Sequence, residues 1–412
     1  MIKTFFDIHC HAMNMSHPCI SAFIKRFTGE LREITVRRVI NSIDSLSKIK
    51  VIREFFDMLG SYKEAKNLLG VMENDCGNLF LLMQDCLYGK YGFTPALLTE
   101  NGLLIDGETY KKMVLTPLIM DFGYDNSAAN KTYYACPAKK PVTEQIIDVL
   151  NGIRHYARKS EKSFFEIYPF LGINTKNFSL KKLEEVLNKC FGEYRHSRDA
   201  LFENFARFDG NIDGITSNYF AGIKVYPPMG FDPWPAKDPA ELEKVKFLYW
   251  LCESKNIPVT SHCNDEGFAI LPENEALGYT SPDAWACVLK AHPKLKLNLA
   301  HFGHQSGATP LNEWSRKICE LIYKYDGVYS DFAFNGVYPD YYETMKRFLD
   351  KLPEEMRKKV YEKILFGSDF MMNLLKIESY SKYLSQFSTT QFFSSEEKER
   401  FASINPQRFL FK

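Results

Sequence analysis

Eight short runs rich in β-branched or aromatic residues recur along the chain, half of them closing on a metal-binding side chain, and lead into stretches with helical spacing. They are 5–11 (FFDIHCH), 113–122 (MVLTPLIMDF), 163–170 (SFFEIYPF), 222–227 (GIKVYP), 258–262 (PVTSH), 296–301 (KLNLAH), 328–332 (VYSDF) and 364–369 (ILFGSD). Strand, crossover helix and next strand is the pattern of a parallel α/β fold, and eight such strands close a (β/α)8 TIM barrel. Between them, 239–254 (PAELEKVKFLYWLCES) and 282–291 have apolar spacing suited to helices packed outside the strands.

The second half of the chain repeats this unit compactly, whereas the first half does not. Residues 12–106 separate the first two strand candidates and carry mixed helical patterns such as 51–69, far more than a strand-to-helix loop requires. They are expected to form a large helical insertion or cap within a single domain spanning 1–412. A second, aperiodic stretch at 123–140 reads as a long substrate loop.

Composition narrows the partners. A formal net charge of +1 offers no global field for nucleic acid or anionic lipid, and no apolar run is long enough to span a bilayer. The first residues lack the apolar stretch and cleavage site of a signal peptide, and ten cysteines without a CxxC pair suit a reducing compartment. The expectation is a cytoplasmic protein acting on a small molecule, with no nucleic-acid or membrane partner and with a homo-oligomer left open.

Side chains alternate across a strand, so Asp7-Ile8-His9-Cys10-His11 turns His9 and His11 to one side together and Cys10 away from them. Two imidazoles on one side are half a metal site. His262 ends the fifth run, His301 the sixth and Asp369 the eighth, where barrel enzymes carry catalytic groups. Gly367 and Ser368 would let the last strand end pack tightly beneath such a site. Tyr226, His304 and Asp331, at or just beyond strand ends, are within reach of a substrate but equally suited to support. His17, His155, His196 and His292 have no partner motif.

These motifs, DIHCH, GIKVYPP, TSHCND, NLAHFG and LFGSDF in that order, with an asparagine-initiated closing segment at 404–411 (INPQRFLF), resemble the amidohydrolase superfamily, in particular its amidohydrolase-related (amidohydrolase 2) branch. The resemblance covers most of the chain outside the insertions. It implies that His9, His11, His262 and Asp369 ligate a divalent metal, while His301 polarises substrate or steadies the attacking water. Neutral imidazoles with one carboxylate suit Zn²⁺, and Asp369 could pass the water's proton to the leaving group.

Lys224 has two readings under this resemblance: a carboxylated lysine bridging two metals, or an ordinary cation for an anionic substrate group with one metal, the latter favoured. With Tyr226 it is assigned to substrate binding. The expected activity is hydrolysis of a C–N or ester or lactone bond in a small cyclic or carboxylated molecule by metal-activated water. A non-oxidative decarboxylase is the nearest alternative. A TatD-like nuclease, which usually has Glu where Lys224 stands, and a barrel that has lost catalysis are the others.

Overall fold

The computed structural model describes residues 2–18, 63–123, 140–159, 163–201, 208–269, 271–306 and 311–412. Its centre is a run of short parallel strands. β1 (Thr4–Cys10) pairs with β5 (Lys112–Pro117), and β5 with β6 (Phe165–Ile167). A second sheet runs in order from β7 (Phe170–Gly172) through β8 (Gly222–Val225), β9 (Val259–Ser261), β10 (Leu297–Leu299) and β11 (Val328–Asp331) to β12 (Ile364–Leu365). Backbone contacts join the two sheets at both margins. Leu118 bridges to Phe170, and Ile119 N donates to Phe170 O at 3.1 Å. On the other margin Ile8 N donates to Phe366 O at 3.2 Å and Asp369 N to His9 O at 2.7 Å.

The helices between strands carry the caps their sequences announce. Asp238 caps Pro239–Lys255 and Ser281 caps Pro282–Ala291, each with proline in the first turn, where a missing N–H costs nothing. No described helix is long and apolar enough to cross a membrane.

Two expectations need correction. The run 163–170 is not one strand but two, β6 and β7, because Pro169 has no N–H to continue the ladder and supplies only its carbonyl, to Ala221 N at 2.9 Å. The insertion 12–106 is not purely helical. Its described part holds helices Lys63–Met72 and Cys76–Leu87, then strands β2 (Leu98–Thr99) and β3 (Gly102–Ile105), which form an antiparallel sheet with β4 (Glu108–Tyr110) just past its end. The β3–β4 turn is Asp106-Gly107, both at positive φ (51° and 79°), the conformation that Asp-Gly favours in a two-residue hairpin. Helical periodicity before it masked that signal. Residues 19–62, with most of the helical pattern at 51–69, and most of the loop 123–140 lie outside the described residues.

The closing helix Asn405–Phe411 is tied beneath the last strand by its first residue. Asn405 is buried and its amide donates to Tyr361 O (2.9 Å) and Ile364 O (2.8 Å), holding the entry to β12. Asn405→Ala should therefore lower unfolding stability by about 1–3 kcal/mol, since two buried carbonyls lose their donor. Urea denaturation, with a lower midpoint at unchanged slope, is the check.

Candidate metal centre

Each candidate side chain leaves the backbone at or just past a strand end. His9 lies near the end of β1 and His11 just beyond it, His262 follows β9, His301 sits in the tight turn Ala300–Gly303 after β10, and Asp331 ends β11. Asp369 follows β12 after a short link. His301 and Asp369 have left-handed backbones (φ 64° and 56°), a conformation that costs a non-glycine residue about 1–3 kcal/mol and persists only where the surroundings enforce it. Gly367 makes room nearby: a Cβ there would stand 2.6 Å from the Cβ of His9.

The tautomer of every imidazole follows from its outer partner. His9 Nδ1 donates to Asp331 Oδ2 (3.0 Å), His11 Nδ1 to Leu118 O (3.0 Å), His301 Nδ1 to Ala333 O (3.0 Å) and His262 Nε2 to Glu266 O (2.8 Å). Those acceptors have no proton to offer, so the second ring nitrogen of each neutral histidine carries a lone pair. The lone pairs face one another. His11 Nε2 stands 3.1 Å and His9 Nε2 3.5 Å from Asp369 Oδ1, and His301 Nε2 is 3.1 Å from His262 Nδ1. His9 Nε2 has no hydrogen-bond partner among the described residues.

Burial pushes all four imidazoles below the ordinary histidine value, so they are neutral at physiological pH. Burial opposes ionisation of Asp369, yet the surrounding histidines hold its carboxyl below the usual carboxylate range. These close approaches are favourable only with a positive charge, a proton or a metal ion, between the ring nitrogens and the carboxylate. The donor chemistry of His9, His11 and Asp369 therefore fits a divalent metal, and their donor atoms lie within 4.8 Å of one another.

The structure brings His9, His11 and Asp369 into this cluster but leaves His262 outside it. The ring of His262 stands against His301, with Nε2 taken up by the Glu266 carbonyl, a contact that depends on the local path of the loop after β9. Gly267 enforces that path. Its φ is 114°, and a Cβ there would meet Tyr226 Oη at 2.5 Å and His262 Nε2 at 2.8 Å. A second set of donors, His9, His301 and Asp331, is equally close. However, Asp331 already accepts from His9 Nδ1, Asn298 Nδ2 (2.6 Å), His301 N (3.1 Å) and Ala333 N (3.0 Å), so it orients histidines.

Above the cluster opens a cavity of about 390 Å³ with an apolar wall that includes Met13, Met120, Phe122, Phe268, Phe334 and Met372. Lys224, on β8, reaches its floor. It is buried, its ammonium makes no hydrogen bond among the described residues, and it lies over the Tyr226 ring at 5.7 Å. Tyr226 also lines the cavity, and its hydroxyl accepts from Phe268 N at 2.9 Å.

Of the other candidates, His304 stacks on Tyr338 (5.9 Å), and His17 and His292 pair with Asp148 and Glu253, which keeps them out of the cluster. Burial pushes the thiols of Cys10 and Cys263 upward, which disfavours thiolate ligands. Asp7 was passed over in the sequence as the opening residue of the motif. Among the described residues its hydrogen bonds come from His9 N, Ser368 N and the hydroxyls of Ser368 and Tyr380 rather than from an imidazole ring.

Residues 214–412 match the model of a family described as amidohydrolase. No curated protein matches the chain. Among solved structures, the chain is similar to a 4-oxalomesaconate hydratase from Rhodopseudomonas palustris at 12% identity and a TM-score of 0.44, over 98% of this chain and 95% of that one. It is also similar to a zinc-bound amidohydrolase from Burkholderia ambifaria at 11% identity and a TM-score of 0.41, over 100% and 86% of the respective chains.

Burial lowers the Lys224 ammonium to about 8, with Asp331 and Asp369 pulling the other way. Because its folded value lies below the unfolded one, the charged form destabilises the fold fully below pH 8, and the penalty fades between pH 8 and about 10.5. Lys224→Met should thus stabilise the chelator-treated protein by roughly 1–3 kcal/mol at pH 7 and by little above pH 10.5. Denaturant titrations at both pH values decide; a variant less stable than wild type at pH 7 contradicts it.

Proposed function

We propose that this chain, a member of the amidohydrolase family by the match over residues 214–412, is a hydrolase that cleaves a C–N or ester or lactone bond in a small cyclic or carboxylated molecule. It is an enzyme of the metal-dependent hydrolase type. The reading is carried by one observation: His9 Nε2 and His11 Nε2 stand 3.5 and 3.1 Å from Asp369 Oδ1 in the lining of the cavity, while the outer nitrogen of each ring is hydrogen-bonded elsewhere. The proposed frame is one domain, 1–412, built on a (β/α)8 barrel with 12–106 inserted between its first two strands. Backbone contacts at both sheet margins support that frame.

His9, His11 and Asp369 would hold the ion, and the nitrogen and oxygen donor set suits Zn²⁺. When bound, such an ion lowers the pKa of a water toward about 7 and polarises the bond to be cleaved. Asp369 accepts the water's proton and returns it to the leaving group. His301 presents its Nε2 lone pair beside the cluster, held by Ala333 O, and is placed to steady the attacking water through a hydrogen bond. His262, expected as a fourth ligand, joins it through Nδ1 or supports His301.

Lys224 supplies the anion-binding charge at the floor, while the methionine and phenylalanine wall receives an apolar body and excludes water from it. One ion is favoured over two; a second would need His262 and His301 together with a carboxylated Lys224.

The same Lys224 suits a decarboxylase, which would hold a carboxylate over the site. Released CO₂, against consumed water, separates the two reactions.

Metal analysis tests the centre: the purified protein should carry close to one divalent ion per chain, unchanged by bicarbonate, and the double variant His9→Ala/His11→Ala should lose it. Wild-type metal content in that variant would refute the assignment. On any substrate found among lactones, cyclic amides and carboxylated aromatics, Asp369→Asn should lose about 10²-fold or more in turnover while folding normally. Activity within a few-fold of wild type rules out Asp369 as the proton acceptor.

A further inference from the structure

We infer that Asp7 is a positioning residue for the metal centre, a single buried carboxylate from which both ligand-bearing segments hang. The inference rests on the reading of His9, His11 and Asp369 as ligands. Asp7 is fully buried, and no cationic side chain bonds to it among the described residues. Its Oδ1 accepts from His9 N (3.3 Å) and Ser368 N (2.9 Å), and its Oδ2 from the hydroxyls of Ser368 (2.5 Å) and Tyr380 (3.0 Å). Four donors converge on one buried carboxyl group, two of them backbone groups adjoining or belonging to proposed ligands.

The strand itself makes this arrangement available. The pairing of β1 with β5 is irregular between Asp7 and Cys10, so simple alternation fails there and the Asp7 carboxylate serves the Ser368 side rather than the imidazoles. Ser368 then passes the restraint on, because its hydroxyl also accepts from Phe370 N at 3.0 Å. With Asp369 N bonded to His9 O at 2.7 Å, the backbone amides of Ser368 and Asp369 are fixed to β1, and that of Phe370 to the Ser368 hydroxyl.

Such fixing has a purpose at this position. Asp369 holds a left-handed backbone that it would abandon if released, and its carboxylate would then leave His9 and His11. Tyr380 extends the restraint to the cavity wall. It heads the helix Tyr380–Thr389, packs its ring on Phe370 (5.2 Å), and closes the segment that bears Met372 and Leu375. Asp7 thus touches neither substrate nor metal but sets the geometry of the groups that do.

The test uses Asp7→Asn in the full chain, with Zn²⁺ titrated into metal-free protein against a competing chelator. Affinity should fall about 10–100-fold, the scale for groups that orient ligands, with Tyr380→Phe losing less. Hydrogen exchange of the metal-free proteins should quicken in residues 5–11 and 366–371 together, while β8 to β10 keep their protection. A folded Asp7→Asn with wild-type affinity overturns the inference, whatever its melting temperature. If Asp7→Asn does not fold, Ser368→Ala and Tyr380→Phe decide, and wild-type affinity in both overturns it. If the wild type binds no Zn²⁺, the metal reading fails by itself, and faster exchange confined to 5–11 overturns the positioning role independently.

Discussion

Every feature of the centre depends on where four buried imidazoles spend their single N–H. Three give it to backbone carbonyls and one to Asp331, all acceptors that cannot reciprocate, so the inner nitrogens are left as bare lone pairs. Burial keeps the rings from taking up a second proton, and the carboxylate among them stays ionised. A protein interior tolerates such a concentration of like polarity only with a compensating positive charge. Under the proposed reading, that demand is what gives the strand ends and the cavity they line their chemical meaning.

Much of this was legible in the sequence because strand ends are local. The spacing of His9 and His11, and the histidines and aspartate closing later runs, need only the two-residue period of a strand to be read. What escaped reading depends on distant backbone. The orientation of His262 is decided by a carbonyl of a loop turned by Gly267, and the duty of Asp7 by a register irregularity against β5. Neither leaves a mark in residue spacing. The hairpin at Asp106-Gly107 did leave one, but helical periodicity upstream outweighed two residues of turn chemistry. Pro169 likewise divides a run whose composition is uniformly strand-like.

The cavity divides its labour by depth. Its lining holds charge of both signs, Lys224 and Asp369 among them, together with thioether and aromatic side chains. Methionine side chains adapt their shape at small cost, so the wall can accept bodies of different outline while the floor stays strict about the polar end.

The contacts of β1 with the segment after β12 have a consequence for assembly. His9 and Asp369 come from strands separated by most of the chain, so no nascent fragment lacking the last strand can offer the complete donor set. Closing so long a loop is slow, since its entropy is lost before any contact repays it. An ion captured there would act as a rivet set after the plates are aligned: it cannot template the early stages of folding, yet once seated it resists the separation of the first strand from the last.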